Sequence, residues 1–244
     1  MSSAHILITG AAGCIGSWIL KRLTLRGITC TAFDLARETR RLEMISDPGQ
    51  WEQVQFIEGD VLDQTQLLAA IDQTGATHLI HLVGLQVPVC RADPIRGAVV
   101  NVIGTLNVFE AARQRQDTIR HVVYASSAGI YGPDEDYDGQ TVNESVKVTP
   151  RHHYGYYKLC NEGNGRVYFQ DHGISNSGMR PHTVFGPGRD QGITGGPTIA
   201  LKAAVVGSNY TIPFVGEAAI HYVRDTADAF IGVALGPLDN LLAF

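Results

Sequence analysis

Cysteine is scarce in this sequence of 244 residues, and its four copies (Cys14, Cys30, Cys90 and Cys160) are scattered. Their spacing makes neither a metal-ligand set nor a disulfide framework, so no metal is expected and they read as reduced thiols of a cytoplasmic protein. Long apolar runs are missing too, since none approaches the ~20 residues of a membrane-spanning helix. A signal peptide is not expected, because a strand pattern already begins at His5. Clusters of Lys and Arg are absent: 19 basic residues stand against 24 acidic ones, for a formal charge of −5. Such a balance leaves no electrostatic footprint for nucleic acid or an anionic membrane. There is no internal repeat and no low-complexity stretch. What is present is a chain 44% hydrophobic, long enough for one domain, or one domain plus a small lobe, with ample core.

The stretch HILITGAAGCIG, residues 5–16, organises the rest. Residues 5–9 form a short β-branched apolar run suited to a buried strand. Gly10, Gly13 and Gly16 follow at intervals of three, and residues 17–26 read as an amphipathic helix. A strand that turns through glycines into a helix N-terminus is an anion site, because free N–H groups and the helix dipole face one point. The glycines let the backbone, with Cys14 and Ile15 between them, approach a pyrophosphate without a Cβ in the way. A second strand pattern, residues 28–33, ends at Asp34, about 20 residues beyond the loop, where the adenine ribose of a dinucleotide would lie. An acidic side chain there accepts from the ribose hydroxyls and repels a 2′-phosphate, which favours NAD over NADP; nearby Arg37 works against that preference.

Strand and helix patterns then alternate. Residues 54–58 are a third strand, followed by Gly59-Asp60-Val61; residues 64–74 are a helix and 77–83 an apolar fourth strand. A long helical pattern covers residues 94–115, and residues 121–125 form a fifth strand ending at Ser126-Ser127. After a Gly/Asp/Pro-rich loop, residues 154–172 are helical and 175–179 form a sixth strand leading into a glycine-rich exit loop, 180–189. This alternation predicts an α/β fold: a doubly wound parallel sheet (Rossmann) with ligands at the carboxyl ends of its strands. Beyond residue 180 the pattern loosens, with 198–206 helical, 210–215 extended and 225–235 helical. That change predicts a dinucleotide-binding domain over 1–180 and a small C-terminal substrate lobe over 181–244.

Tyr154 and Lys158 are four residues apart and share one helix face. With Ser127 from a neighbouring strand end they form a set for moving a proton on and off an alcohol. The lysine charge lowers the tyrosine pKa, the phenolate accepts the hydroxyl proton, and the serine holds the substrate oxygen. Tyr156 and Tyr157 are rival bases by type, but neither has a lysine four residues on. His152 and His153 read as loop residues rather than metal ligands, since no carboxylate or cysteine partners them at ligand spacing. Cys14 reads as a small side chain packed under the pyrophosphate rather than a nucleophile.

Together with Gly10/Gly13/Gly16, Asp34, Gly59-Asp60-Val61, His81-Leu82-Val83-Gly84, Asn101 to Thr105, Ser126 to Gly132, Arg180-Pro181 and Phe185 to Gly188, the Tyr/Lys pair makes the sequence resemble the extended short-chain dehydrogenase/reductase family, in its NAD-dependent epimerase/dehydratase group. By position the resemblance implies Ser127, Tyr154 and Lys158 as the catalytic set and Asp60 and Val61 as adenine contacts. It places Leu82, Val83, Gly84, Asn101, Pro181 and Val184 along the cofactor. Gln86, Ala128, His182, Thr183, Arg189 and His221 fall where a substrate would lie. Relatives pair through the helices matching residues 94–115 and 154–172, which implies a homodimer; Val99, Val102, Ile103, Leu106 and Val108 exceed what one buried face needs.

Departures bear on the substrate. Relatives acting on nucleotide sugars carry Asn where this chain has Thr183, and an Arg that grips the diphosphate where it has Ala218. Losing an amide and a guanidinium suits a smaller alcohol such as a free sugar, uronate or hydroxy acid, although Arg189 or Arg224 could compensate. Relatives also continue past the position of Phe244 with further strand and helix. The leading expectation is therefore an NAD-dependent oxidoreductase of a small-molecule alcohol or hemiacetal. A nucleotide-sugar epimerase or dehydratase that recycles NAD is the alternative. A non-catalytic NAD sensor is a third, and the intact Ser/Tyr/Lys set argues against it.

Overall fold

The computed structural model describes residues 4–214 and 219–237. In chain order the main elements are β1 (His5–Thr9), α1 (Cys14–Leu25), β2 (Thr29–Asp34), α2 (Arg40–Ile45), β3 (Gln55–Glu58), α3 (Gln64–Thr74) and β4 (His78–His81). They continue with α4 (Val87–Ala92), α5 (Pro94–Ala98), α6 (Gly104–Gln114), β5 (His121–Ala125), α7 (His153–His172) and β6 (Asn176–Met179). The last are β7 (Thr183–Phe185), α8 (Gly196–Val205), β8 (Ile220–Tyr222) and α9 (Val223–Leu235).

Six strands form one parallel sheet in the order β3-β2-β1-β4-β5-β6. The order reverses between β1 and β4, which opens a crevice beyond their carboxyl ends. Successive side chains of β1 point to opposite faces. Ile6 and Ile8 join a core with Ile19, Leu23 and Phe230, while Leu7 joins Phe33, Leu67, Phe109 and Tyr124 on the other face. Covered on both sides, the central strands read as nearly unbroken apolar runs. The sheet is the doubly wound one expected from the alternation. Among the described residues no helix is long and apolar enough to cross a membrane.

Helix boundaries follow local chemistry. Asp63 caps α3 by accepting from the N–H groups of Thr65 (2.9 Å) and Gln66 (3.2 Å), and Gly75 ends it in the left-handed region at φ 63°. The helix expected over 94–115 is not continuous. Asp93 caps α5 through the Arg96 N–H, and a wide five-residue turn, Val99–Ile103, separates α5 from α6. There Asn101 Nδ2 donates to the carbonyls of Gly97 (2.9 Å) and Leu85 (3.2 Å), so a side chain bonds into the helical ladder and widens it.

The extended segment expected over 210–215 is not a strand. Pro213 lacks a ladder donor and instead packs with Ile212 against Gly196; Val215 lies outside the described residues. The partner of β7 is β8, in parallel register from Thr183↔Ile220 to Phe185↔Tyr222. α9 then returns to the main sheet, where Val223, Ala227, Phe230 and Ile231 are fully buried and Asp228 pairs with Arg22 and Arg26 of α1.

Candidate active site

The glycine turn opens at the carboxyl end of β1. Gly10 takes φ +75°, and a Cβ there would meet Val83 N at 2.9 Å. At Gly16 a Cβ would stand 2.5 Å from Gly10 O, so neither position accepts another residue. Helix α1 starts at Cys14 with Gly13 as its N-cap, and no side chain caps it. The first-turn N–H groups of a helix lack intrahelical acceptors. Those of α1 border a cleft of about 680 Å³ lined by Gly10, Gly13, Cys14, Ile15 and Gly16. Such a helix start has the geometry and dipole to hold an anionic group such as a pyrophosphate. Cys14 is half-buried, and burial pushes its thiol up to about 11, which suits packing rather than nucleophilic attack.

Asp34, at the end of β2, is tied to this turn. One oxygen accepts from Ala12 N and the other from Leu35 N, both at 2.9 Å. Four lone-pair sites on a carboxylate leave acceptors for the hydroxyls of a ribose. Arg41 of α2, a helix without a clear pattern in the sequence, donates to Ala12 O (3.0 Å), Gly188 O (3.2 Å) and Asp190 (2.7 Å). Trp18 Nε1 donates to Pro187 O at 2.9 Å. These bonds strap the exit loop onto the glycine turn.

Ser127, Tyr154 and Lys158 line the same cleft as the glycines. His152 is the N-cap of α7: its Nδ1 accepts from Gly155 N at 2.9 Å, which fixes where the helix begins and hence where Tyr154 points. His153 stacks on Tyr157, whose hydroxyl donates to Pro94 O at 2.8 Å. Among the described residues no group of three His, Cys, Asp or Glu could hold a metal.

Lys158 is buried, and desolvation lowers its pKa to about 8. Its Nζ lies 5.6 Å from the Tyr154 ring centroid. Burial raises the Tyr154 pKa, and what opposes this is first the hydrogen bond with Ser127 and then the charge of Arg189. The sequence assigned that work to Lys158, whose Nζ stands over the ring.

The carboxyl ends of β5 and β6 are locked together behind this set. Ser126 Oγ donates to Glu162 Oε1 (2.6 Å), and Arg180 grips both Glu162 oxygens at 2.8 and 2.7 Å. Arg180 also donates to the Tyr131 hydroxyl at 2.9 Å. Ala128 N donates to Pro181 O (3.1 Å), completing the link between the two strand ends. Glu162 lies one helical turn beyond Lys158, and that spacing is the signal by which the sequence could have revealed it.

Of the residues the resemblance placed along a cofactor, Leu82, Gly84, Pro181 and Val184 line the cleft. Val83 lies under Gly10. Asn101 is buried, with Oδ1 unbonded and facing Gly84 beside Lys158 Nζ. Asp60 and Val61 follow β3, with Asp60 Oδ1 accepting from Leu62 N and Val61 buried under Gly104. Of the substrate set, Gln86, Ala128, His182, Thr183 and Arg189 line the cleft, whereas His221 is exposed behind His182 at 5.7 Å between ring centroids. Arg224 is exposed, pairing with Asp225 outside the cleft, and Ala218 lies outside the described residues.

This arrangement has close counterparts among known proteins. The sequence is 32% identical over 233 residues to a UDP-glucose 4-epimerase of Mycolicibacterium smegmatis, covering 92% of this chain and 71% of that one. The structure of a Thermus thermophilus UDP-glucose 4-epimerase in complex with NAD is similar at a TM-score of 0.81 and 29% identity, over 96% of this chain and 75% of that one. An L-threonine dehydrogenase from Cupriavidus necator gives 0.82 at 26% identity, over 97% and 74%. The sequence model of one family matches residues 6–236. With the six-stranded sheet, the glycine turn and the Ser/Tyr/Lys cleft, that match means that the chain belongs to the NAD dependent epimerase/dehydratase family.

Proposed function

We propose that this protein is an NAD-dependent oxidoreductase acting on a secondary alcohol or hemiacetal carbon of a small sugar-like or hydroxy-acid substrate, with Tyr154 as the base. The observation that carries this reading is one cleft lined at once by the glycine turn and by Ser127, Tyr154 and Lys158. The residues fit the cofactor: a cradle that a Cβ would fill at Gly10 and Gly16, uncapped N–H groups at α1, and acceptors on Asp34. Bound NAD would supply the hydride acceptor. Ser127 Oγ holds the substrate hydroxyl, Tyr154 Oη takes its proton as the carbonyl forms and the hydride leaves for the cofactor, and Lys158 would hold the nicotinamide ribose. Spectrophotometry of NADH formation across free sugars, uronates and nucleotide sugars tests the reading. Net NADH release marks a dehydrogenase; product epimer without NADH marks the alternative, a nucleotide-sugar epimerase, which the similarity to UDP-glucose 4-epimerases favours.

Cofactor choice gives a separate expectation. NAD binds more tightly than NADP, and Asp34→Ala narrows the difference by removing both the ribose acceptor and the charge that repels a 2′-phosphate. Fluorescence titration of both cofactors measures it, and equal affinity in the parent protein would refute the assignment of Asp34.

A small substrate lobe over 181–244, interleaved with the sheet, and a cytoplasmic homodimer belong to the same proposal; residues 215–218 and 238–244 lie outside the described residues. Ile95 is 80% exposed, Val99 and Ile103 are partly exposed, and α7 presents Tyr156 and Val167 to solvent. An apolar surface of this kind marks an interaction face. Light scattering at micromolar concentration returns a dimer; a monomer would count against the pairing.

A further inference from the structure

The charges lining the cleft do not balance. Its one acidic side chain among the described residues is Asp190, and two arginines already claim it: Arg41 at 2.7 Å and Arg40 at 2.8 Å. Arg189 and Arg91 remain, together with Lys158. Arg189 Nη2 donates to Thr194 Oγ1 at 2.6 Å, but its Nε is buried without a partner. A buried donor left unpaired costs free energy that a bound acceptor would recover. Arg91, on α4, makes no hydrogen bond or ion pair with any described residue, and its charge acts on His152 across the cleft lining. The buried Nε of Arg189 asks for an acceptor, and Arg91, exposed at the rim of the same cleft, adds positive charge to it.

The position of Thr183 bears on which anion: it lines the cleft where relatives acting on nucleotide sugars carry Asn, and losing that amide favours an acid smaller than a diphospho sugar. Arg189 lines the same cleft as Ser127 and Tyr154.

We infer that the substrate is a small hydroxylated carboxylate, whose carboxylate is gripped by Arg189 with Arg91 at the rim, and whose hydroxyl meets Ser127 and Tyr154. This rests on the oxidoreductase reading above and narrows its substrate class to acids. A neutral sugar would leave Arg189 Nε unpaired, and a nucleotide sugar would direct the two arginines to a diphosphate.

Two measurements test it on the whole protein. Thermal unfolding is followed with saturating NAD in the presence of aldonates and uronates of four to six carbons, each beside its neutral alditol or aldose, and of UDP-glucose. Acids should raise the midpoint more than their neutral counterparts or UDP-glucose do, and Arg91→Gln and Arg189→Gln should each reduce that excess. In parallel, NADH formation from the same panel should favour the acid, and each substitution should lower the acid-to-neutral ratio of kcat/KM by roughly 10- to 100-fold, the worth of a hydrogen bond to a charged group. Arg189→Lys should recover part of the ratio, because it keeps the charge and loses the fork. Equal protection by acids and neutral compounds, preferential protection by UDP-glucose, or an acid preference that survives both glutamine substitutions would overturn the inference. Acid-selective protection without any NADH formation would instead leave the anion site standing and overturn the oxidoreductase reading.

Discussion

Replacing Tyr154 with Phe should lower turnover by roughly 10²–10⁴, the usual worth of a positioned general base. The substitution keeps the ring that sits beside Lys158 Nζ and removes only the hydroxyl bonded with Ser127. Affinity for NAD should stay near that of the parent, because the glycine turn, Asp34 and Lys158 are untouched. The pH profile carries a finer expectation. Burial raises the Tyr154 pKa, and the Ser127 hydrogen bond and the Arg189 charge oppose it. The active form is the phenolate, so activity rises with pH through that pKa. Ser127→Ala removes the largest opposing influence and should move the rising limb to higher pH as well as lowering turnover. Lys158→Met should weaken NAD binding and, by removing a positive charge beside the Tyr154 ring, move the rising limb to higher pH. Rates against pH for the three variants on one substrate decide the matter, and near-parental turnover in Tyr154→Phe would place the base elsewhere.

The parts of this site that were legible in the sequence are those whose chemistry is local. A strand, three glycines and a helix start lie within twelve residues, and their spacing alone determines a turn that no Cβ could occupy at Gly10 or Gly16. Tyr154 and Lys158 announce themselves by sharing a helix face. The apolar strands were legible because a parallel sheet covered on both sides needs continuous hydrophobic runs.

What escaped the sequence depends on long-range partners. Arg41 lies in a six-residue helix too short to show periodicity, and its role comes from Ala12, Gly188 and Asp190, which are far away in the chain. His152 was read as a loop residue, and only the start of α7 makes it a cap. The break at Asn101 was hidden because the apolar spacing over residues 94–115 reads as one helix, and the side chain that widens the turn bonds to Gly97 and Leu85. The 210–215 misreading gave an apolar segment precedence over Pro213, whose missing N–H disqualifies it from a ladder.

Glu162→Gln should destabilise the fold by about 3–5 kcal/mol, the cost of breaking a buried ion pair from one side. Arg180 is 9% and Glu162 2% exposed, and the carboxylate accepts both guanidinium bonds as well as the Ser126 hydroxyl. A glutamine offers one acceptor in place of two oxygens and turns an N–H group toward the guanidinium, so at least one of these bonds must fail. Against a total stability of about 5–15 kcal/mol the loss is large, though the apolar core on both sheet faces should still let the variant fold. The pair also has a use beyond stability. Ser126 precedes Ser127, and Arg180 precedes Pro181, whose carbonyl holds Ala128 N, so the carboxylate sets the spacing of the two strand ends that border the cleft. A double-mutant cycle with Arg180→Gln separates the pair from its surroundings. The double variant should be more stable than the sum of the two single losses predicts, because neither charge is then left buried alone. Urea unfolding of the four proteins provides the numbers. A single-variant cost below ~1 kcal/mol, the range of an exposed ion pair, would mean that water reaches this network and that the strand ends are held by backbone bonds instead.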